Sequence, residues 1–201
     1  MPKIIPNINL RIEQVALSLF NQYDYDQVDM KMIASTCHIA VGTLYNYYSN
    51  KHQLFVHVMH LCWRATASLL DSIYAVPELC LEEKLSQSIE ILYDHLLERR
   101  GMGKYIYKII ANFQLDQEVI DLFEIIFIKL ERLFEGFEKK SFFCEETLMN
   151  RRLAKSLIVM VQNTIVSYPD NREDNLHYIQ DFFYNSMHVD LSLKKNYLAT
   201  H

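Results

Sequence analysis

Apolar side chains recur at three- and four-residue steps through nearly the whole chain, the period of helices that each bury one face. Ile8, Ile12, Val15, Ala16, Leu19 and Phe20 form the first stripe, with Asn7 or Asn9 placed to cap it and a turn over 23–26 to end it. Met30, Ile33, Ala34 and Cys37 form a second, short stripe, and Val41, Leu44 and Tyr48 a third. A long helix is expected over 50–74, with Leu54, Phe55, Val58, Met59, Cys62, Ala65, Leu69 and Ile73 on its inner side. Pro77 breaks the pattern and marks a domain border.

Beyond that border the pattern predicts an amphipathic helix over 81–99 that stops at Arg99, Arg100 and Gly101, and a short one over 105–113. Asp116 is placed to cap a further helix reaching 138. Two last helices, 146–168 and 173–197, are separated by Pro169, with Asp170 and Glu173 at capping-box spacing for the second. Their stripes (Leu153, Leu157, Val161 and Ile165; Ile179, Phe182, Phe183 and Met187) are expected to supply half of a four-helix dimer interface. The chain therefore reads as all-α, with about nine helices: a three-helix domain over 1–52 and a helical bundle over 53–201.

The stretch 29–51 carries the most chemistry. Asp29 suits the N-cap of its first helix, where a carboxylate meets exposed amides and the positive end of the dipole. His38-Ile39-Ala40 reads as a corner, since histidine enters the left-handed region more readily than most residues. At 100° per residue from Val41, the side chains of Val41, Leu44 and Tyr48 point one way and Gly42, Thr43, Asn46 and Tyr47 the other, with Tyr45 on the flank. That outward face suits a major groove: Gly42 lets backbone approach a phosphate, Thr43 and Tyr47 offer hydroxyls, and the Asn46 amide can pair with adenine. Asn50 and Gln53 have capping-box spacing for the next helix, and Lys51 in its first turn is placed to grip a phosphate together with the helix N-terminus.

Ile33-Ala34 followed by Val41-Gly-Thr-Leu-Tyr-Asn-Tyr-Tyr-Ser-Asn-Lys51, with Leu19-Phe20 before and Leu54-Phe55 after, resembles the DNA-binding domain of the TetR family of bacterial transcriptional regulators. The resemblance covers about residues 8–60 and implies a homodimer whose helix-turn-helix binds a short palindrome and whose C-terminal helices dimerise and bind a small effector that releases repression. It places Thr43, Tyr45, Asn46, Tyr47 and Lys51 at DNA-contacting positions, and Lys31 joins them as a nearby cation. Asp24, Asp29 and Ala40 depart from the pattern, which favours glycine, threonine and a hydroxyl cap there, and His38 replaces the corner glycine. Asp29 weighs most, because an acid beside a phosphate repels it unless helix amides absorb the charge.

Charge complicates this picture. The net charge is −5, yet residues 1–52 hold four cations (Lys3, Arg11, Lys31, Lys51) against four acids (Glu13, Asp24, Asp26, Asp29), so the reading domain is neutral where a basic footprint is usual. No Arg or Lys lies between Ile39 and Asn50, so the bidentate cation contact to guanine is missing and A·T-rich half-sites are expected. The neutral head also fits a helical interaction or ligand-binding protein that has lost DNA binding.

The remaining composition narrows the alternatives. Half of the residues are hydrophobic and a chain of 201 buries roughly 70% of its unfolded surface without metals or disulfides. The cysteines at 37, 62, 80 and 144 show no close pairing, and no signal peptide or membrane span is evident, so a reduced cytoplasm is expected. The aromatic-rich C-terminal half is core by default, and thirteen Tyr and eleven Phe across the 201 residues allow an apolar effector cavity, for which Trp63, Tyr93, Tyr107, Phe113, Phe127 and Asn163 are the candidates. His95 and Glu98 would serve a charged effector. His57 and His60 have chelating spacing without a third ligand, and Cys37 has no activating neighbour, so no metal, cofactor or redox role is expected. No Gly-x-Ser-x-Gly, Walker loop or dinucleotide fingerprint occurs, so no enzyme activity is expected.

Overall fold

The computed structural model describes residues 7–100, 102, 117–139 and 148–189. Among them are eight α-helices: α1 (Ile8–Gln22), α2 (Met30–Thr36), α3 (Val41–Tyr45), α4 (Lys51–Tyr74), α5 (Leu81–Glu98), α6 (Gln117–Glu135), α7 (Met149–Ser167) and α8 (Arg172–Ser186). The all-α reading holds, with one addition: β1 (Phe137–Lys139) and β2 (Met187–Val189) pair antiparallel, Phe137 opposite Val189 and Lys139 opposite Met187. The short helix expected over 105–113 lies outside the described residues. Backbone contacts divide the chain into two units, 1–64 with 98–123, and 65–97 with 124–201.

In the first unit, Ile8, Ile12, Ala16, Leu19 and Phe20 of α1 are buried, as their spacing predicts. Asn7 is the N-cap but makes no side-chain cap bond. Val28, Met30, Ile33, Ala34, Cys37, Leu44, Leu54, Phe55 and Val58 complete the core. Phe20, Tyr25 and Phe55 meet there ring to ring, with centroids 4.9 to 5.9 Å apart. Tyr25 belongs to a 3-10 turn, Tyr25–Gln27, which replaces the plain turn expected after α1 and is closed by Asp24 N–H donating to Gln27 Oε1 at 3.1 Å.

Along α4 the buried positions step by four from Leu54 to Val58, Cys62, Thr66 and Leu70, so Ala65 and Leu69, expected inside, are exposed. The misplaced step comes from Thr66. A hydroxyl at a core position reads as surface until its partner is known, and here it lies 2.8 Å from His95 Nδ1.

In the second unit, α6 was expected to reach 138 but ends at Glu135. Gly136 follows it, and a side chain there would press on Leu81, its Cβ only 2.8 Å from that residue's Cδ1. Helix α8 likewise stops at Ser186 rather than near 197, because Met187 turns extended to pair with β1. Such a ladder joins segments far apart in sequence, which no local periodicity reports. Asn171, not Asp170, is the N-cap of α8, and it makes no side-chain bond. The helix start is instead held from a distance: Arg172 grips Asp94 through two hydrogen bonds of 2.8 Å, and Asn175 Nδ2 donates to the Tyr93 hydroxyl and the Tyr168 carbonyl, both at 2.8 Å.

The stripes assigned to a dimer interface are mostly this unit's own core. Leu153, Leu157, Val161, Ile165, Ile179, Phe183 and Met187 are buried within the chain, and only Phe182 is exposed. A repeating apolar face shows that something covers it, not whether the cover is the same chain or another. Exposed apolar side chains of α7 and α8 include Val159, Val166, Tyr178 and Phe182.

Candidate nucleic-acid interface

The corner that sets α3 against α2 is built as the sequence suggests. Asp29 Oδ1 accepts the Met32 N–H at 2.8 Å, which sets its carboxylate at the positive end of α2. At the other end His38 adopts φ 54°, its N–H bonds Ser35 O at 3.0 Å, and Ile39 N–H bonds Ala34 O at 3.0 Å. This paired closure lets a helix stop within one residue, and it needs a left-handed residue at position 38.

Helix α3 then divides cleanly. Leu44 is fully buried and Tyr48 is 8% exposed, whereas Tyr45 and Tyr47 are 49% and 42% exposed. Asn46 and Gly42 are exposed, Thr43 is half-buried, and nothing lies within 4 Å of where a Gly42 side chain would begin. Thr43, Tyr45, Asn46 and Tyr47 thus share one short segment whose opposite side is core. Ala40 caps α3 through its backbone alone, its carbonyl accepting Thr43 N–H at 2.9 Å.

Lys31 is exposed on α2. Lys51 is more constrained than its expected role suggests: its ammonium donates to Tyr25 O at 2.8 Å and sits 4.1 Å from the centre of that ring. An ammonium has three N–H donors, so this anchor leaves two. The expected capping box ahead of α4 is spread over two residues. Asn50 Oδ1 accepts Gln53 N–H at 2.8 Å, while Gln53 Oε1 accepts from Ser49 N–H at 2.7 Å and Ser49 Oγ at 3.0 Å.

Sequence reasoning missed Glu13. Its Oε1 lies 3.3 Å from the Tyr48 hydroxyl and 2.9 Å from His57 Nε2, joining α1, the end of α3 and α4. Burial first, then the Glu13 charge, push the Tyr48 phenol up to about 12, so it remains a donor at neutral pH. The signal available in the sequence was a tyrosine at the inward-facing position 48, whose hydroxyl needs a buried partner. His57, weighed there as a metal ligand, is used in this contact, and among the described residues no group of three or more His, Cys, Asp or Glu side chains could hold a metal ion.

Residues 12–58 match the family model of bacterial regulatory proteins of the tetR family. Over those residues the chain has the N-terminal domain of the TetR family. Solved TetR regulators share the fold of the chain. That from Legionella pneumophila has a TM-score of 0.69 at 22% identity, over 90% of this chain and 99% of its own. The regulatory protein TetR from Rhodobacter sphaeroides gives 0.69 at 16%, with the same coverage. The regulator FadR from Bacillus subtilis, solved with stearoyl-CoA, gives 0.64 at 16%, over 86% and 94%. Comparison with curated protein sequences gives no match.

Four of the effector candidates named from the sequence, Trp63, Tyr93, Phe127 and Asn163, lie among the described residues. Trp63 is 1% exposed, packs on Phe123 with ring centroids 4.7 Å apart, and its indole N–H finds no acceptor among the described residues. Tyr93 is fully buried with its hydroxyl engaged by Asn175. Phe127 lies under the Arg151 guanidinium, 4.7 Å from its centre, and Arg151 is held by Glu124 and Glu131. Asn163 is exposed, and Tyr107 and Phe113 lie outside the described residues. A further buried donor that the sequence did not single out is Gln162, whose Nε2 has no hydrogen-bond partner among the described residues. No described helix is long and apolar enough to cross a membrane.

Proposed function

We propose that this chain is a sequence-specific DNA-binding transcriptional regulator, released from its operator by a small effector, with 1–52 as reading domain and 53–201 as effector and dimerisation domain. One observation carries the reading: a five-residue helix, fully buried at Leu44, and the turn that follows it expose Tyr45, Asn46 and Tyr47. Those groups suit phosphate hydroxyl contacts, an Asn46–adenine pair and thymine methyl contacts, and no cation in the segment suits guanine. Lys51 and Lys31 supply phosphate contacts, Lys51 with the N–H donors that Tyr25 leaves. Asp29 Oδ1, bonded to the Met32 amide, is turned to the start of α2, which lessens the objection that an acid at that position raises.

The proposed dimer forms through the last two helices, using exposed residues such as Tyr178 and Phe182 in place of the buried stripes. A C₂ pair of heads then meets two half-sites about one helical turn apart. An effector acts only by binding one arrangement of the dimer better than the other. Buried donors without acceptors among the described residues, on Trp63 and Gln162, are the kind of group that an effector carbonyl or carboxylate satisfies.

Selection from random duplex DNA, followed by mobility shifts, tests the proposal. Expected is a palindrome with A·T-rich half-sites and a log–log salt slope of about −5, from roughly 0.9 per phosphate and three cations per subunit. A G·C-rich core overturns the base-reading assignment. No binding at low salt favours the second reading, an interaction or ligand-binding protein, which the neutral charge of residues 1–52 supports. Stearoyl-CoA, held by the Bacillus subtilis neighbour, is the first effector probe.

A further inference from the structure

We propose that Glu13 is a positioning residue for the recognition helix, holding the end of α3 against α1 and α4 through Tyr48 and His57, so that operator affinity depends on this tie. The inference rests on the DNA-binding reading above.

A five-residue helix does not stand alone in water, since a helix that short never recovers the cost of its nucleus. Helix α3 also starts without a side-chain cap. Its orientation therefore comes from anchors, of which Leu44 is one. Tyr48 is the other, bonded through its N–H to Leu44 O at 3.0 Å and almost wholly buried. Burial alone would be served as well by phenylalanine. A hydroxyl at such a site costs stability unless it is bonded, and the acceptor here is the carboxylate of Glu13.

The carboxylate is an acceptor only, so both of its neighbours must donate. His57 therefore carries its proton on Nε2, and its ring is tilted against that of Tyr48 with centroids 5.4 Å apart. One oxygen thus fixes the chain on both sides of the link between α3 and α4. Tyr48 is too buried to touch DNA itself, so any effect of its hydroxyl on affinity passes through the placement of Tyr45, Asn46 and Tyr47.

The test uses the full-length protein and the operator selected for it, with affinity measured well below every variant's melting temperature. Tyr48→Phe is expected to weaken binding roughly 3- to 10-fold, the range of one net hydrogen bond. Glu13→Leu, which removes both ties, should weaken binding at least as much, Glu13→Gln, which keeps an acceptor, should recover most of the loss, and Glu13→Leu with Tyr48→Phe should lose no more than Glu13→Leu alone. Amide exchange gives a readout without DNA: residues 42–47 should exchange faster in Tyr48→Phe while 54–63 stay as they are. Wild-type affinity and wild-type exchange in Tyr48→Phe overturn the proposal, as does Glu13→Gln binding as weakly as Glu13→Leu. Failure of the wild-type protein to bind any duplex overturns the DNA-binding reading instead, and the exchange result still decides whether Glu13 holds the helix.

Discussion

The reading head and the second unit are both helical, but the caps and corners of the head and the ties that hold α8 span different distances. In the head, caps and corners close within a few residues: Asp29 on Met32, His38 on Ser35, Asn50 on Gln53. In the second unit the ties are long. Arg172 reaches Asp94, Asn175 reaches Tyr93, Gln180 Nε2 donates to Ser86 Oγ at 2.7 Å, and the Tyr184 hydroxyl donates to Glu82 O at 2.9 Å. A corner closed by its own neighbours keeps its local shape when its surroundings change, although α3 still takes its placement from Leu44 and from the Glu13 tie, whereas a bundle tied across its helices depends on all of them at once.

The largest expected effect is in the head. Leu44→Ala removes the buried wedge of α3 and should cost about 3 kcal/mol, within the usual range for such truncations, with loss of specific operator binding. Calorimetric unfolding measures it, and a loss under 1 kcal/mol would mean that α3 is not anchored by its core side.

Next comes the long-range counterpart. Asn175→Ala strands the Tyr93 hydroxyl and the Tyr168 carbonyl, and should cost about 2 kcal/mol. Amide exchange should speed up in α5 and α8 and not in α2 or α3. Acceleration spread evenly over both units would erase the distinction drawn here.

Asp29→Ala, the local counterpart, should cost about 1 kcal/mol, the usual worth of an N-cap. Its loss should appear as faster exchange at the start of α2 alone.

The smallest effect at neutral pH is alkaline. Burial pushes the Tyr74 phenol, and burial with Glu13 that of Tyr48, up to about 12 from an ordinary value of 10. The folded chain therefore holds these protons where the unfolded chain has lost them. Their contribution is complete below pH 10 and is lost as pH rises through 12. Denaturant unfolding at pH 9 and pH 11 should show the loss, and Tyr74→Phe and Tyr48→Phe should each reduce it.

Legibility in the sequence followed the same division. The outward Thr43–Tyr47 segment, the cap at Asp29 and the left-handed residue at His38 were all readable, because each is set by residues a few positions away. Thr66 inside α4, the β1–β2 ladder and the grip of Arg172 on Asp94 were not, since each depends on a partner far along the chain. Lys51 shows the limit within the head: its charge and place are plain, but its contact with Tyr25 needs the folded corner.

The backward-turned backbone at His38 also sets which amino acids that position accepts. Glycine adopts φ 54° without strain and asparagine with little, while valine, isoleucine and threonine clash with their own peptide units there. A saturation library at residue 38 should therefore be sorted by branching at Cβ rather than by charge or polarity, although the histidine side chain itself is exposed to solvent.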